Sequence, residues 1–475
     1  MATLVLVMLA TALLHRSSLA QTEGKKIRLV TREVSLGKMH PGELSLVVSP
    51  DSRRVAYWNW AMRFDGMYSV VVDGVEGKGY NETGIGTPIF SPDSKRVAYG
   101  AMSAKIGGKW LVVVDGVEGK EYDGIMEDAI FHYCKACAAH FWTLGNLLFS
   151  PDSKRVAYVA RRGSKWLVVV DGMEGKEYDG TGGLLFSPDS RRVAYIAEHG
   201  GKRLVVVDGE EGKEYDGTGG ILFSPDSKRL AYIAGNGNKQ FVVVNRKEGK
   251  KYDRTGTPIF SPDSRQLAYI AGNGNKQFVV VNKKEGKKYD EIGAPVFSPD
   301  SKRVAYIALR GGKRFAVVDG KERKEYDWIG NLMFSPDSRR VAYWARRGGK
   351  EFVVVDGVEG REYNGIERDI LLFSPDGKRV AYVAEHDGKK FAVVDGVEGK
   401  GYDWVGDIIF SPDSKRVVYK AKRGDKYLVV VDRVEGKEYD DFPRGSELAF
   451  DSPKLLHTSA RRGDEIFRVE IEIVE

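Results

Sequence analysis

Residues 149–158 read FSPDSKRVAY, and residues 186–195 read FSPDSRRVAY. The phenylalanine that opens this phrase recurs every 37 residues, at Phe149, Phe186, Phe223, Phe260, Phe297 and Phe334. Self-similarity at a period of about 20–50 residues is typical of proteins built from stacked structural repeats. The period therefore decides the architecture. It also indicates that residues present in every repeat build the repeat and do not carry chemistry.

One repeat divides into four short strands, which we name a to d. In the copy that begins at Phe149 they are 147–149, 155–160, 166–170 and the more polar 176–179. Ser-Pro-Asp-Ser and Asp-Gly separate the strands and are turn-forming residues. Four short antiparallel strands in about 40 residues is the pattern of a propeller blade. We therefore predict an all-β protein, a β-propeller of four-stranded antiparallel blades.

The copies and the chain ends predict how the array closes. Copies begin near Val48, Phe90, Phe149, Phe186, Phe223, Phe260, Phe297, Phe334, Phe373, Phe410 and Phe450, which makes eleven. The last copy ends after its third strand, and residues 26–30 form a spare strand ahead of the first copy. We expect the N-terminal strand to complete the last blade, which leaves no open sheet edge. A ring usually has about four to eight blades, so one large ring and two rings both remain open.

The repeat resembles a known family. Residues 373–382 read FSPDGKRVAY and are similar to the core of the WD-like repeat of TolB-type β-propellers. Similar repeats form the propellers attached to prolyl-oligopeptidase and tricorn-type proteases. The resemblance covers nearly all of residues 21–475 and implies the propeller fold. Most copies have Ser where that family usually has Gly, and only Gly377 keeps the glycine.

Composition and the N-terminal segment indicate an exported protein. Hydrophobic residues make up 42% of the chain and charged residues 30%, and the net charge of +7 does not by itself indicate nucleic-acid binding. Residues 4–14 are apolar but too short to span a bilayer. Ser18 and Ala20 are small residues at the positions that a signal peptidase reads, so we expect cleavage after Ala20. We therefore predict a signal peptide at 1–20 and a periplasmic or secreted protein. No Lys or Arg precedes the apolar run, and a buried strand or helix is the alternative.

The loops predict two different faces. The b–c and d–a loops lie on one face, and the b–c loops are rich in Lys and Arg, including Arg161 and Arg162. The c–d segments, such as 171–177, are net acidic. We therefore expect one basic and one acidic face. The basic face either steers an acidic partner, or it consists of solvated turns that were copied by duplication and have no binding role.

Binding residues are expected where the period fails, between Trp58 and Leu144. The b–c loops of blades 1 and 2 are irregular, and an insert at 126–144 lies between blades 2 and 3. Aromatic side chains on irregular loops above a basic surface are binding candidates, unless they only pack as a local cap. The candidates on the basic face are Trp58, Trp60, Phe64, Tyr68, Trp110, Phe131, Tyr133, Phe141, Trp142, Arg161 and Arg162.

Both cysteines of the chain lie in the insert. Cys134 and Cys137 are flanked by His132 and His140. In an exported protein a Cys134–Cys137 disulfide is the default. Zinc binding by the two Cys and two His is a weaker alternative, because the cluster is very compact, and free or redox-active thiols are a third. We predict no cofactor.

The sequence carries no recognisable catalytic motif. It lacks a Gly-x-Ser-x-Gly elbow, a His-Glu-x-x-His and a phosphate loop. Repeated aspartates such as Asp171, Asp208, Asp319 and Asp356 occupy a turn and are interpreted as structural. We therefore expect a non-enzymatic binding or scaffold module for a protein or an anionic polymer of the cell envelope. A carbohydrate-active or peptidase-like site in the central channel, and a metal or redox role of the insert, are the alternatives.

Overall fold

The structure is a computed structural model that describes residues 27–38, 46–59, 67–81, 88–103, 108–125 and 147–475. Within these ranges the strands form eleven antiparallel sheets, each with four strand positions in the order a-b-c-d. In blades 3, 6 and 7 strand a is split into two pieces that both pair with strand b. The predicted all-β propeller with eleven blades is confirmed. The expected signal peptide lies outside the described residues.

The strands of the first six blades have the following bounds. Blade 1 has Val47–Val48, Val55–Asn59, Ser69–Val72 and Val75–Glu76; blade 2 has Ile89–Phe90, Val97–Met102, Trp110–Val114 and Val117–Glu118; blade 3 has Gly124–Ile125 with Leu147–Phe149, then Val156–Arg162, Lys165–Val170 and Met173–Glu174. Blade 4 has Gly180–Phe186, Val193–His199, Lys202–Val207 and Glu210–Glu211; blade 5 has Gly217–Phe223, Leu230–Asn236, Lys239–Val244 and Lys247–Glu248; blade 6 has Arg254–Thr255 with Ile259–Phe260, then Leu267–Asn273, Lys276–Val281 and Lys284–Glu285.

The remaining five blades complete the ring. Blade 7 has Glu291–Ile292 with Val296–Phe297, then Val304–Arg310, Lys313–Val318 and Lys321–Tyr326; blade 8 has Trp328–Phe334, Val341–Arg347, Lys350–Val355 and Val358–Glu359; blade 9 has Gly365–Phe373, Val380–His386, Lys389–Val394 and Val397–Tyr402. Blade 10 has Trp404–Phe410, Val417–Arg423, Lys426–Val431 and Val434–Tyr439; blade 11 has Ala449–Ser452, Leu455–Arg462, Glu465–Val474 and, as its fourth strand, Arg28–Lys38.

The repeated phrase forms the a–b turn. In blade 3, Ser150 Oγ donates to Asp152 at 2.6 Å, and it accepts the Arg155 N–H at 2.9 Å. These bonds satisfy polar groups of the turn that cannot form hydrogen bonds within the sheet. The short polar residues of the phrase therefore fix the geometry between two buried strands.

The c–d turn is held by its aspartate. Asp171 and Gly172 have φ of 53° and 78°, as a tight hairpin turn requires. Asp171 accepts the Val156 N–H at 2.9 Å and the Arg155 Nε–H at 2.8 Å. The predicted bounds of strand d, 176–179, are wrong for blade 3: the strand is Met173–Glu174, directly after the turn, and within 176–179 Tyr178 forms one isolated bridge with Trp166.

Adjacent blades pack face to face. Among the described residues, each of the eleven interfaces has its own buried apolar cluster. Between blades 3 and 4, the rings of Tyr178 and Tyr195 meet edge to face with centroids 6.3 Å apart. Ala157 and Ala194 are 0% exposed, because a small residue is needed where the sheets approach closely.

The clasp of the two chain ends is confirmed, and it closes one ring. Arg28–Lys38 pairs antiparallel with Glu465–Val474. Blade 11 then packs on blade 1, where Ile466 joins a buried cluster with Val48. The Arg468 guanidinium donates to the carbonyl of Asp51 across this seam. The alternative of two rings is excluded, because every blade contacts its neighbour in chain order and blade 11 contacts blade 1.

Strand a of each blade faces the centre of the ring. Strands a of neighbouring blades contact one another, as Gly180–Phe186 contacts Gly217–Phe223. In a propeller this convergence marks the inner strands, and strand d lies at the outer rim. The b–c and d–a loops therefore form one face of the ring, and the a–b and c–d turns form the other.

Candidate functional site

The lysines of the b–c loops form ion pairs on their own face. In blade 3, Lys165 Nζ lies 2.5 Å from Asp179, which directly follows Tyr178, the residue that bridges to Trp166 of strand c. Asp179 also accepts the Gly200 N–H of blade 4 at 2.8 Å. Lys165 and then the Gly200 N–H lower the pKa of Asp179. The same Lys–Asp pairing recurs in Lys109–Asp123, Lys202–Asp216, Lys239–Asp253, Lys276–Asp290, Lys313–Asp327, Lys389–Asp403 and Lys426–Asp440.

The arginines of these loops are also paired. Arg162 donates to Glu174 at 2.8 Å and to Glu177 at 3.0 Å, and its guanidinium lies 5.8 Å from the ring centroid of Tyr122 in blade 2. Arg310, Arg347 and Arg423 make the corresponding pairs. The positive charge counted from the b–c loops alone is therefore largely balanced by carboxylates that the fold brings to the same loops.

The described candidate residues divide between core and surface. Trp58 is only 9% exposed, and its ring packs edge to face on Tyr99 at 5.5 Å, so it belongs to the core. Trp110 is half-buried against the cluster between blades 2 and 3. Tyr68 pairs through its backbone with Tyr80. These three side chains help to build blades, and sequence reasoning misplaced Trp58 because it assigned a strand residue to a loop.

The other described candidate lies at the loop rim. The Arg161 guanidinium lies 5.7 Å from the centroid of the Trp166 ring and donates to the carbonyl of Asp123 at 3.2 Å. It is exposed and forms no ion pair among the residues that the structure describes. Trp60, Phe64, Phe131, His132, Tyr133, Cys134, Cys137, His140, Phe141 and Trp142 lie outside the described residues.

The residues that flank the insert lie in an inner strand. Ile125 pairs with Ala160, and Leu147 pairs with Tyr158 on the same strand b of blade 3. Both flanks are therefore parts of strand a, and the chain leaves and re-enters the innermost strand. This corrects the expectation that the insert belongs to the connection between blades 2 and 3.

Blades 10 and 11 carry an aromatic cluster on the b–c and d–a face that sequence reasoning missed. The rings of Trp404 and Tyr427 are 6.2 Å apart, and those of Tyr427 and Phe442 are 5.9 Å apart. Lys422 Nζ lies 4.9 Å from the Tyr427 centroid. Trp404 is 36% exposed. We call Trp404, Lys422, Tyr427 and Phe442 the aromatic rim cluster.

A buried lysine supports this cluster from below. Lys420 is 2% exposed, and its Nζ lies 2.9 Å from Asp407 and 4.6 Å from the Phe442 centroid. It also donates to the carbonyl of Ser446. Burial lowers the pKa of Lys420, and the Asp407 carboxylate opposes that shift. The ammonium thus ties the segment that carries Phe442 to blade 10.

A second exposed tryptophan occupies the same position in another repeat. Trp328 of blade 8 is 36% exposed, and the Arg314 guanidinium of blade 7 lies 4.1 Å from its ring centroid. Other copies have Gly180 or Gly217 at this position, directly after Asp179 or Asp216. The signal in the sequence is therefore a single substitution within the period and not an insertion.

No group of three or more His, Cys, Asp or Glu side chains among the described residues is arranged to hold a metal ion. No helix within the same residues is long and apolar enough to cross a membrane.

These features define an eleven-bladed β-propeller repeat protein. No protein-family model and no curated protein matches the chain. Among solved structures, it is similar to a eukaryotic initiation factor (13% identity, 70% of this chain and 91% of that one, TM-score 0.39). It is also similar to TolB from Acinetobacter baumannii (16%, 61% and 78%, 0.25) and to the propeller domain of the Trilobed protease from Pyrococcus furiosus (13%, 58% and 93%, 0.27). These likenesses concern the fold alone.

Proposed function

We propose that this chain is a non-enzymatic binding or scaffold module of an exported protein, and that a protein partner docks on its b–c and d–a face. The aromatic rim cluster carries the proposal. Trp404 and Tyr427 project from strands, so little conformational entropy is lost when a partner covers them. Exposed aromatic side chains next to a cation are typical anchors of protein interfaces.

The electrostatics of this face favour a protein over a polyanion as its partner. The Lys–Asp and Arg–Glu pairs described above leave few cations without a carboxylate, so long-range attraction of a strongly acidic ligand is weak. Such paired charges instead supply a polar rim around an apolar anchor, which is the usual anatomy of an interface between proteins.

A pull-down from envelope extract tests the proposal. Trp404→Ala and Tyr427→Ala should each lower the recovery of the partner, and calorimetry with the purified partner should show at least about a tenfold loss of affinity. Trp328→Ala is the matched control, because Trp328 has the same repeat position and exposure. Equal partner recovery by wild type and the Trp404 and Tyr427 variants would contradict a docking site at this cluster.

The export part of the proposal has its own measurement. N-terminal sequencing of protein recovered from the periplasm or the medium should begin at Gln21. A mature protein that retains residues 1–20, or that is recovered only from the cytoplasm, contradicts export.

A further inference from the structure

Two neighbouring blades reverse the charge of their c–d turns. The turns 245–251 of blade 5 and 282–288 of blade 6 each carry four cations and one carboxylate. By contrast, turns 115–121 and 171–177 each carry three carboxylates and one cation. Every residue of 282–288 is exposed. The face expected to be acidic is therefore basic on these two blades.

Blade 5 also contains an arginine without its usual acid. In eight blades the arginine of the repeated phrase pairs with the aspartate after strand c, as Arg192 does with Asp208 at 3.1 Å. In blade 5 that position is Asn245, whose Oδ1 still accepts the Leu230 N–H at 2.9 Å. Asn245 therefore keeps the hydrogen bond that holds the turn, but it offers Arg229 no carboxylate. Nη2 of Arg229 is buried and has no hydrogen-bond partner within the described residues.

These turns keep the backbone conformation of their neighbours but, like Arg433 of blade 10, have a cation in place of the usual glycine. Arg246 and Lys283 have φ of 65° and 71°, in the left-handed region that favours glycine. Blades 4 and 7 place Gly209 and Gly320 at this position. Arg246 and Lys283 are therefore strained, whereas a glycine in the same conformation is not. Each of the two residues places a cation in the turn. Such departures from local preference are most often found at functional sites.

We propose that turns 245–251 and 282–288, together with Arg229, bind a linear acidic polysaccharide; we call them the basic turn patch. The same cations recur one blade apart, at Lys247 and Lys284 and at Lys251 and Lys288. A repeated set of cations fits a ligand with regularly repeated negative charges better than it fits a single anion. None of these four lysines forms an ion pair among the described residues, so they are available to such a ligand. Lys247, Lys284 and Arg229 lie on the face opposite the aromatic rim cluster, and Lys251 and Lys288 lie along the outer strand position, over the rings of Phe241 and Phe278.

Other polyanions fit the patch less well. An interface with an acidic protein needs an apolar centre, yet Lys247 and Lys284 stand where other blades expose an aliphatic side chain, such as Val117 or Met173. Single-stranded nucleic acid is held by exposed aromatic rings, and neither turn contains an aromatic residue.

Binding of polygalacturonate to the full-length protein at about 50 mM salt tests the proposal. Replacement of Lys247, Lys251, Lys284 and Lys288 by Gln should weaken binding at least about tenfold, because each lost cation removes a contact that releases counterions. The control replaces by Gln four lysines of other blades that are already paired with carboxylates, Lys78, Lys120, Lys176 and Lys400. That control should bind like the wild type.

A second variant tests the role of Arg229 and keeps every cation of the basic turn patch. Asn245→Asp gives Arg229 the carboxylate that its counterparts have, so it should preserve the thermal transition and weaken polygalacturonate binding several-fold. Asp208→Asn in blade 4 is its control and should leave binding unchanged, because no basic turn surrounds Arg192.

Three outcomes would overturn the proposal. They are no binding of polygalacturonate by the wild type, equal binding by the four-lysine variant, and tighter binding of polyglutamate or oligothymidylate than of polygalacturonate. Trp404→Ala should leave polysaccharide binding intact, so failure of this proposal and failure of the proposed docking of a protein are distinguishable.

Discussion

The Oγ of Ser190 in blade 4 accepts the Asp152 N–H of blade 3 at 2.9 Å, while the backbone of Ser190 has φ of 64°. A serine in this left-handed conformation is strained, and glycine is the usual choice. The hydroxyl explains the preference for serine, because at eight blade interfaces it links a blade to the preceding one. Gly377 provides no such acceptor, and a Cβ at that position would lie 2.8 Å from Asp337 Oδ1.

Two substitutions at Ser190 should separate the bond from the strain. Ser190→Ala loses the hydrogen bond and keeps the positive φ, so the free energy of unfolding should fall by about 1–2 kcal/mol. Ser190→Gly loses the bond but relieves the strain, and should differ from wild type by about 0.5 kcal/mol or less. Chemical denaturation measures both. If alanine proves as stable as glycine, the backbone conformation of Ser190 is not strained.

Glu33 should control the stability of the clasp. It accepts from Tyr439 Oη at 2.7 Å and from Arg462. Burial opposes its ionisation, but these hydrogen bonds outweigh that effect and lower the pKa of Glu33. Glu33→Gln should lower the unfolding free energy by about 1–2 kcal/mol and speed hydrogen exchange in Glu465–Val474. The exposed Glu472 provides the control, since Glu472→Gln should change neither quantity.

Acid should weaken the links between blades. Glu359 has a pKa of about 2, because Lys324, Tyr326 and Arg347 donate to it against the effect of burial. A lowered carboxylate pKa means that the folded state binds fewer protons than the unfolded state, so stability is lost as pH falls from about 4.5 to 2. Glu435 has the same pKa, with Lys400 as its main cause. Denaturation against pH should show a shallower loss for the Glu359→Gln, Glu435→Gln double variant; an unchanged slope would contradict this.

Lys420 should be needed for the position of Phe442. Lys420→Ala leaves Asp407 without its cation and removes the bond to the Ser446 carbonyl, so it should destabilise the protein by about 2–4 kcal/mol. Lys420→Ile restores the residue found in blades 4 to 7 and should cost less stability. Both variants should accelerate hydrogen exchange in residues 441–447. If Lys420→Ile leaves exchange unchanged, the lysine does not hold this segment.

The period made the fold predictable, because turn chemistry, strand spacing and the complementary chain ends all repeat or match in the sequence. The charge of a face was not predictable in the same way. Lys165 and Asp179 are 14 residues apart, and only the register of strands c and d brings them together. Trp58 was misplaced because strand b of blade 1 extends to Asn59, and blade 2 buries the Trp58 ring. Trp404 was missed because one substitution is a weak signal beside a long insertion.

The clasp also imposes an order of events on the growing chain. Arg28–Lys38 is synthesised before the ten copies that separate it from the last blade, and its partner strand, Glu465–Val474, is made only after all ten of them. Until that segment emerges, the first strand has no edge to join, and both ends of the incomplete array expose unpaired or uncovered surface. Ring closure therefore requires all eleven blades, and a product terminated before Glu465 cannot acquire the native circular form.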